Sequence, residues 1–420
     1  MLALLLAASL NAGAIDATVR TVMRAEQIAG ISVGIARDGA VQFEGGYGFS
    51  DLGRRSPAQP ETVYRIGSLT KSFTAACVLS LQQQHALGLD DPIGQYLTVP
   101  WPQVSIRELL EQRSGIPSYS DDPALDRYAS YTPEQLVRAV AHPLNFPGDS
   151  EFQYSNTNYV LLGMIASKAA RTPYDRYLQT AILAPLHLTH TRYGDQPGEA
   201  HGYARDTLRM PVQPSSVSYA YAAAGMTSNV PDLLRWLSAL RPPYYGLLRA
   251  QMYGYEVYYA TGHVDGFSAF ELLVPRTHDE IAVLTNANVL DLTPLVKSLF
   301  ALIEPPVAQT YAAAFTAPQN EDLALTGRVR KLLGDLRRGT VDRWMLSAKY
   351  QSSLSADQLA NWQDLLAPRG DLTLLEFTGR EQNADCSEEH YRATFAGGSK
   401  LLVTVCVAAA SIDDIRIERP

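Results

Sequence analysis

The chain has 420 residues, enough for two or three domains, and its 46% hydrophobic and 19% charged content excludes a disordered chain. The formal net charge is −8, from 35 basic and 43 acidic residues. Without a Lys/Arg-rich run there is no basic stripe for a phosphate backbone, so a nucleic-acid partner is not expected.

In chain order, residues 2–10 are apolar but too short to span a bilayer. They precede the small-x-small site Ala12-Gly13-Ala14, so residues 1–14 read as a signal peptide cleaved after Ala14. The mature chain is then periplasmic or secreted, with no transmembrane span. The usual positive start is missing, since no Lys or Arg precedes Arg20. A buried N-terminal helix is the competing reading.

Two strand-like runs around Asp38-Gly39 predict a hairpin. Residues 73–87 are helical in pattern and stop at Gly88. Ser105 and Glu108 form a capping box for a short helix that Gly115 and Pro117 close. An apolar helix follows Asn158, and another enters through Pro231. Strands return in "GFSAFELLVP" and "EIAVLTNAN". Strands first, helices between and strands last predict one antiparallel sheet whose terminal strands meet, with a helical cluster inserted.

Residues 304–319 are rich in Pro and Ala and read as a linker between a domain at 15–303 and another at 320–420. The second shows two helical runs, the later one capped by Ser355 and Gln358, then four strand-like runs. That is an α+β accessory domain without a cluster of catalytic residue types. It reads as structural or partner-binding, and the sequence names no partner for it. Of three cysteines, Cys77 reads as a small core residue. Cys386 and Cys406 are either a disulfide or two buried thiols.

The chemistry concentrates in two stretches. In "IGSLTKSFTA", Ser68 and Lys71 are three apart where a helix can begin, so both side chains share one face. The amine could then take the hydroxyl proton. Such a pair alone arises about once by chance in a chain of this length, and a capping serine with a surface lysine is the bland alternative. In "FQYSNTNY", Tyr154 and Asn156 are two apart, and an extended turn would point both to one side. The phenol can move a proton and the carboxamide can hold a peptide group.

In this order and context the motifs resemble the serine β-lactamase and penicillin-binding protein superfamily, closest to the class C β-lactamase-related esterase and D-aminopeptidase branch. Further echoes are "LLEQRSGIPSY", "AAAGMTSNVPDLLRWLSAL" and "VDGFSAF", so the resemblance covers about residues 15–288. It implies the β-lactamase/transpeptidase-like α+β fold and an acyl-enzyme on Ser68, with Lys71 as base, Tyr154 as proton relay and Asn156 orienting the acyl side. It implies no metal or organic cofactor. The third motif, Lys- or His-Thr-Gly, appears as Ala260-Thr261-Gly262, which loses the cation; aligning on the neighbouring His263 would restore one but lose Thr and Gly. The oxyanion donors implied are the backbone N–H groups of Ser68 and His263.

The leading reading is a serine hydrolase acting on small esters, amides or D-amino-acid peptides. A β-lactamase or D,D-peptidase is an alternative, weakened by Ala260. A non-catalytic binding protein retaining the fold is another, opposed by the intact Ser68, Lys71, Tyr154 and Asn156. His187, His190 and His201 read as exposed or capping groups. Arg113 reads as a loop-stabilising group outside the site.

Overall fold

A computed structural model describes residues 11–204, 210–289, 291–304, 321–382, 386–396, 398–408 and 411–418. Residues 2–10 of the expected leader, and the expected linker beyond Glu304, lie outside the described residues. The chain divides into two compact units, Met1–Ile303 and Glu304–Pro420.

The first unit begins with α1 (Ala12–Glu26), β1 (Gly30–Arg37), β2 (Ala40–Asp51), β3 (Ser56–Pro57) and β4 (Tyr64–Arg65). Helices α2 (Thr70–Gln83), α3 (Ile106–Leu110), α4 (Pro133–Ala139), α5 (Asn156–Ala170) and α6 (Tyr174–Tyr177) follow. Then come β5 (Arg192–Tyr193), α7 (Val217–Ala224), β6 (Met226–Ser228) and α8 (Val230–Ala239). The unit closes with β7 (Leu248–Met252), β8 (Tyr255–Val264), β9 (Phe267–Val274), β10 (Asp279–Thr285) and α9 (Thr293–Ile303).

Seven strands form an antiparallel sheet in the order β3-β2-β1-β10-β9-β8-β7. The first and last long strands meet, Ile31 opposite Thr285 through Arg37 opposite Asp279, as the strand-helix-strand order predicts. Strand alternation gives the sheet two apolar faces. On one face Gly34 lets α8 pack against β1, because a Cβ there would stand 2.3 Å from Val230 Cγ1. On the other, Phe300 of α9 meets the Tyr255 ring edge-on at 5.3 Å. Helices α2, α5 and α7 form the inserted cluster beside α8, around Phe73, Tyr159 and Trp236.

Three helix boundaries differ from the sequence pattern. Helix α2 starts at Thr70 and ends at Gln83, four residues before the expected stop. Ala86 N donates to Leu81 O and His85 N to Gln82 O, with His85 at φ 56°, which is a Schellman end without its usual glycine. Helix α3 keeps its capping box but yields after Leu110, because Gln112 takes φ 59°. Helix α5 starts at Asn156, three residues earlier than predicted.

The second unit has α10 (Leu323–Arg337), α11 (Ala348–Ser353), α12 (Ala356–Leu366), and strands β11 (Leu372–Gln382), β12 (Ser387–Phe395), β13 (Lys400–Ala408) and β14 (Ser411–Glu418). The strands pair in sequence order as an antiparallel meander. Its own core includes Val329, Leu336, Tyr391 and Val403. Cys386 and Cys406 are joined as a disulfide, which resolves the open alternative. Cys77 is a buried free thiol, as expected. Among the described residues no helix is long and apolar enough to cross a membrane.

Candidate active site

Ser68 sits in a single 3-10 turn, Gly67–Leu69, that runs straight into α2. That places Lys71 one turn on, and its Nζ lies 3.0 Å from Ser68 Oγ. The lysine is only 2% exposed. It also donates to Asn156 Oδ1 at 2.8 Å and to Ala223 O at 3.0 Å. Burial lowers its pKa below the ordinary lysine range, and the neighbouring Tyr154 opposes that shift. A neutral amine has two hydrogens and one lone pair. With both hydrogens committed to the two carbonyl oxygens, the lone pair is left for the Ser68 hydroxyl.

The Ala223 carbonyl is available because it lies in the last turn of α7, where no later helical N–H claims it. Tyr221 has φ 38° and ψ −137°, which interrupts the helix. Ala222 O then accepts from Thr74 Oγ1 at 2.7 Å, next to the Lys71–Ala223 bond. Strained backbone of this kind persists only where packing enforces it. Here α5 presses on the kink, since a Cβ on Gly163 would stand 2.4 Å from Ala222 Cβ.

Tyr154 donates to Ser68 Oγ at 2.8 Å and is 42% exposed in the cleft. The Lys71 ammonium position lies 4.7 Å from its ring centroid. Ser155 has extended backbone and is buried, so Tyr154 and Asn156 both reach the Ser68–Lys71 pair from opposite ends of one turn. Asn156 is held by two serines: its N–H donates to Ser118 Oγ at 3.0 Å and its Nδ2 to Ser120 Oγ at 2.9 Å.

Strand β8 supplies the other wall. Its pairing with β7 stops at Tyr259, so residues 260–264 leave one edge unclaimed by β7, and this end of the strand packs against the Ser68 turn. Two glycines permit the approach. A Cβ on Gly262 would stand 2.0 Å from Ile66 O, and one on Gly67, at φ 52°, 2.8 Å from the His263 nitrogen. The His263 amide and the Ser68 turn are thereby adjacent. Thr261 and His263 line the cleft with Ser68, and Ala260 lies beside them.

The His263 imidazole donates from Nε2 to Val289 O at 3.1 Å. Partial burial lowers its pKa below the ordinary histidine value, opposing a positive charge there, and its ring is not in the place of the cation absent at Ala260. Behind Ala260, directly across the strand pair, stands Glu271. It is fully buried, neither oxygen makes a hydrogen bond of ordinary geometry among the described residues, and burial raises its pKa to about 8 despite the nearby Ser72 hydroxyl. The sheet at this point therefore presents no positive charge.

Two cavities meet at Ser68. One of about 540 Å³ carries Asn156, His263, Tyr219, Arg127 and Asp265. Arg127 and Asp265 pair at 3.2 Å, leaving Asp265 Oδ2 buried without a partner among the described residues. The other, about 1040 Å³, carries Lys71, Tyr154, Ala260 and Tyr258. Arg113 holds its loop through Asp149 at 2.7 Å, as the sequence suggests, but it is not outside the site, because the loop it holds lines the larger cavity with Ser68. His187, His190 and His201 line neither cavity with Ser68.

The architecture and this constellation match one set of known proteins. The beta-lactamase family model matches residues 15–294. The chain belongs to the beta-lactamase family. Its superfamily consists of serine hydrolases, including amidases and penicillin-binding proteins. Protein flp of Staphylococcus aureus (strain MRSA252) is 29% identical over 316 residues, covering 65% of this chain and 62% of that protein. Penicillin-binding protein 4* of Bacillus subtilis (strain 168) is 26% identical over 228 residues, covering 49% and 51%. The chain thus spans less than two thirds of the length of these curated relatives.

Among solved structures, a D-stereospecific amidohydrolase from Streptomyces sp. is 26% identical, with TM-score 0.60, covering 69% of this chain and 98% of its own. The octameric penicillin-binding protein homologue from Pyrococcus abyssi, at 20% identity and TM-score 0.63, shares the fold over 98% of both chains.

Sequence reasoning missed the supporting groups. Ser118, Ser120 and the Ala223 carbonyl are ordinary residue types whose role comes from tertiary approach. Ala223 O is free because α7 ends one residue later, and no local pattern announces that it faces Lys71. Glu271 was visible only as one acidic residue in an apolar run.

Proposed function

We propose that the protein is a serine hydrolase that forms an acyl-enzyme on Ser68, with small esters, amides or D-amino-acid peptides as substrates. The observation that carries this reading is the convergence on Ser68 Oγ of Lys71 Nζ at 3.0 Å and Tyr154 OH at 2.8 Å. Lys71 takes the Ser68 proton as Oγ attacks the carbonyl carbon. Tyr154 protonates the leaving group, and Lys71 returns a proton to Tyr154. The Ser68 and His263 N–H groups receive the oxyanion. Asn156 faces the acyl side. Water then releases the acyl group by the reverse proton path.

The disulfide Cys386–Cys406 supports an oxidising compartment, consistent with export and residues 1–14 as a leader. That expected cleavage after Ala14 would fall three residues into α1. β-Lactams are poor substrates on this reading, because Ala260 supplies no cation for their carboxylate and burial disfavours the charged form of His263. The test is labelling with a fluorophosphonate and a fluorescent penicillin, followed by peptide mapping. Modification of Ser68 by the fluorophosphonate supports the reading; no modification of Ser68 by either probe overturns it in favour of a binding protein.

A further inference from the structure

We propose that the larger cavity is the leaving-group pocket and that it takes an uncharged, aromatic alcohol portion of an ester. The proposal rests on the acyl-enzyme reading above and adds which half of the substrate confers selectivity. Tyr154, which would hand the proton to the departing oxygen, stands on this cavity, whereas Asn156 stands on the smaller one. The walls are aromatic. Tyr244 and Tyr258 pack at 4.4 Å, Tyr159 lies at the back, and Phe152, 55% exposed, stands at the mouth.

The charged groups on this wall are already engaged or repel an anion. Arg113 is bound to Asp149 and Arg249 to Glu256. The Glu111 carboxylate also lines the cavity and accepts from Tyr245 OH at 3.3 Å. Ala260 ends at its Cβ where the family's long cation would project, so space replaces charge. Planar rings gain both buried area and edge or stacked contacts on such walls. In the acylation step the Ser68 Oγ–carbonyl bond forms and the ester C–O bond breaks. The Ser68 proton goes to Lys71, and the Tyr154 proton goes to the departing oxygen, so the alcohol leaves neutral.

The test holds the acid constant and varies the alcohol. Acetates of ethanol, 2-phenylethanol and 2-(2-naphthyl)ethanol have leaving groups of similar basicity, so rate differences report the pocket. We expect kcat/KM to rise about tenfold or more along the series, from apolar burial. Ethyl esters of acetate and 3-phenylpropanoate should differ by less than about threefold. Tyr258→Ala should collapse the alcohol ratio, and Tyr244→Ala gives a second variant if the first fails to fold.

Independently of turnover, 2-(2-naphthyl)ethanol should bind Ser68→Ala protein saturably by calorimetry, and ethanol should not. A flat alcohol series together with no saturable binding overturns the proposal, as does a preference for the bulky acid that Tyr258→Ala removes. Binding of the alcohol without hydrolysis of any ester sinks the hydrolase reading and leaves the pocket standing.

Discussion

The surroundings of Lys71 and of Glu271 adjoin consecutive residues of α2, and the fold treats them in opposite ways. Both side chains are fully or almost fully withdrawn from water. Lys71 has three oxygen partners within 3.0 Å, one of them a carbonyl from the last turn of α7. Neither Glu271 oxygen has a hydrogen bond of ordinary geometry among the described residues, and its carboxyl is held neutral by burial. Burial of an ionisable group is therefore not what marks the site. What marks it is burial together with partners that fix a geometry, because only a positioned group can move a proton to a chosen atom.

The largest effect expected on the Lys71 side is loss of turnover. Ser68→Ala should reduce ester hydrolysis about a millionfold, and Lys71→Ala nearly as far, since the two act as a unit. The rising limb of kcat/KM with pH should fall below the ordinary lysine range, because Lys71 is active only without its proton. Purified Ser68→Ala with most of its activity would end this reading.

On the Glu271 side the effect is on stability. Its pKa is raised from 4.5 to about 8, so burial of its carboxyl carries no ionisation penalty below pH 4.5, and stability is lost as pH rises from there through 8. Glu271→Gln should match the wild type near pH 4 and gain on the order of a few kcal/mol by pH 9. Urea titrations at both ends check this, and an unchanged difference between variant and wild type across the range would show that Glu271 is solvated or paired.

Restoring charge between the two regions should have a smaller effect. Ala260→His or Ala260→Lys should raise kcat/KM for carboxylate-bearing substrates about tenfold more than for neutral esters, as one charge-assisted contact allows. His263→Ala should leave that ratio near the wild-type value, because burial lowers the His263 pKa and disfavours its charged form. Penicillins hydrolysed faster than simple esters by the wild type, with no response to Ala260→His, would instead favour the alternative alignment of the third motif.

The smallest effect concerns the second unit. A chain ending at Ile303 should keep its ester hydrolysis within about twofold, since every group placed at Ser68 belongs to the first unit and that unit has its own core. A truncated protein that is folded by circular dichroism yet inactive would show that the C-terminal unit supports the site.

Much of this was legible in local pattern. Ser68 and Lys71 are one helical turn apart, so helix geometry alone brings them together. Tyr154 and Asn156 share a turn. The hairpin at Asp38-Gly39 and the capping boxes at Ser105 and Ser355 are also set by neighbours in sequence, and each is present. The early end of α2 was hidden because His85, not glycine, takes the left-handed position.

Tertiary structure decided the rest. Tyr154 lies 86 residues from Ser68 in sequence and Ala223 lies 152 from Lys71. No periodicity encodes those distances; the packing of α5 and α7 against α2 sets them. The sequence by itself determined which functional groups the chain carries and which pairs must share a turn, because those follow from backbone geometry over a few residues. Only the folded chain decided that Lys71 would be buried with partners and Glu271 without them, because desolvation depends on every element packed around a group.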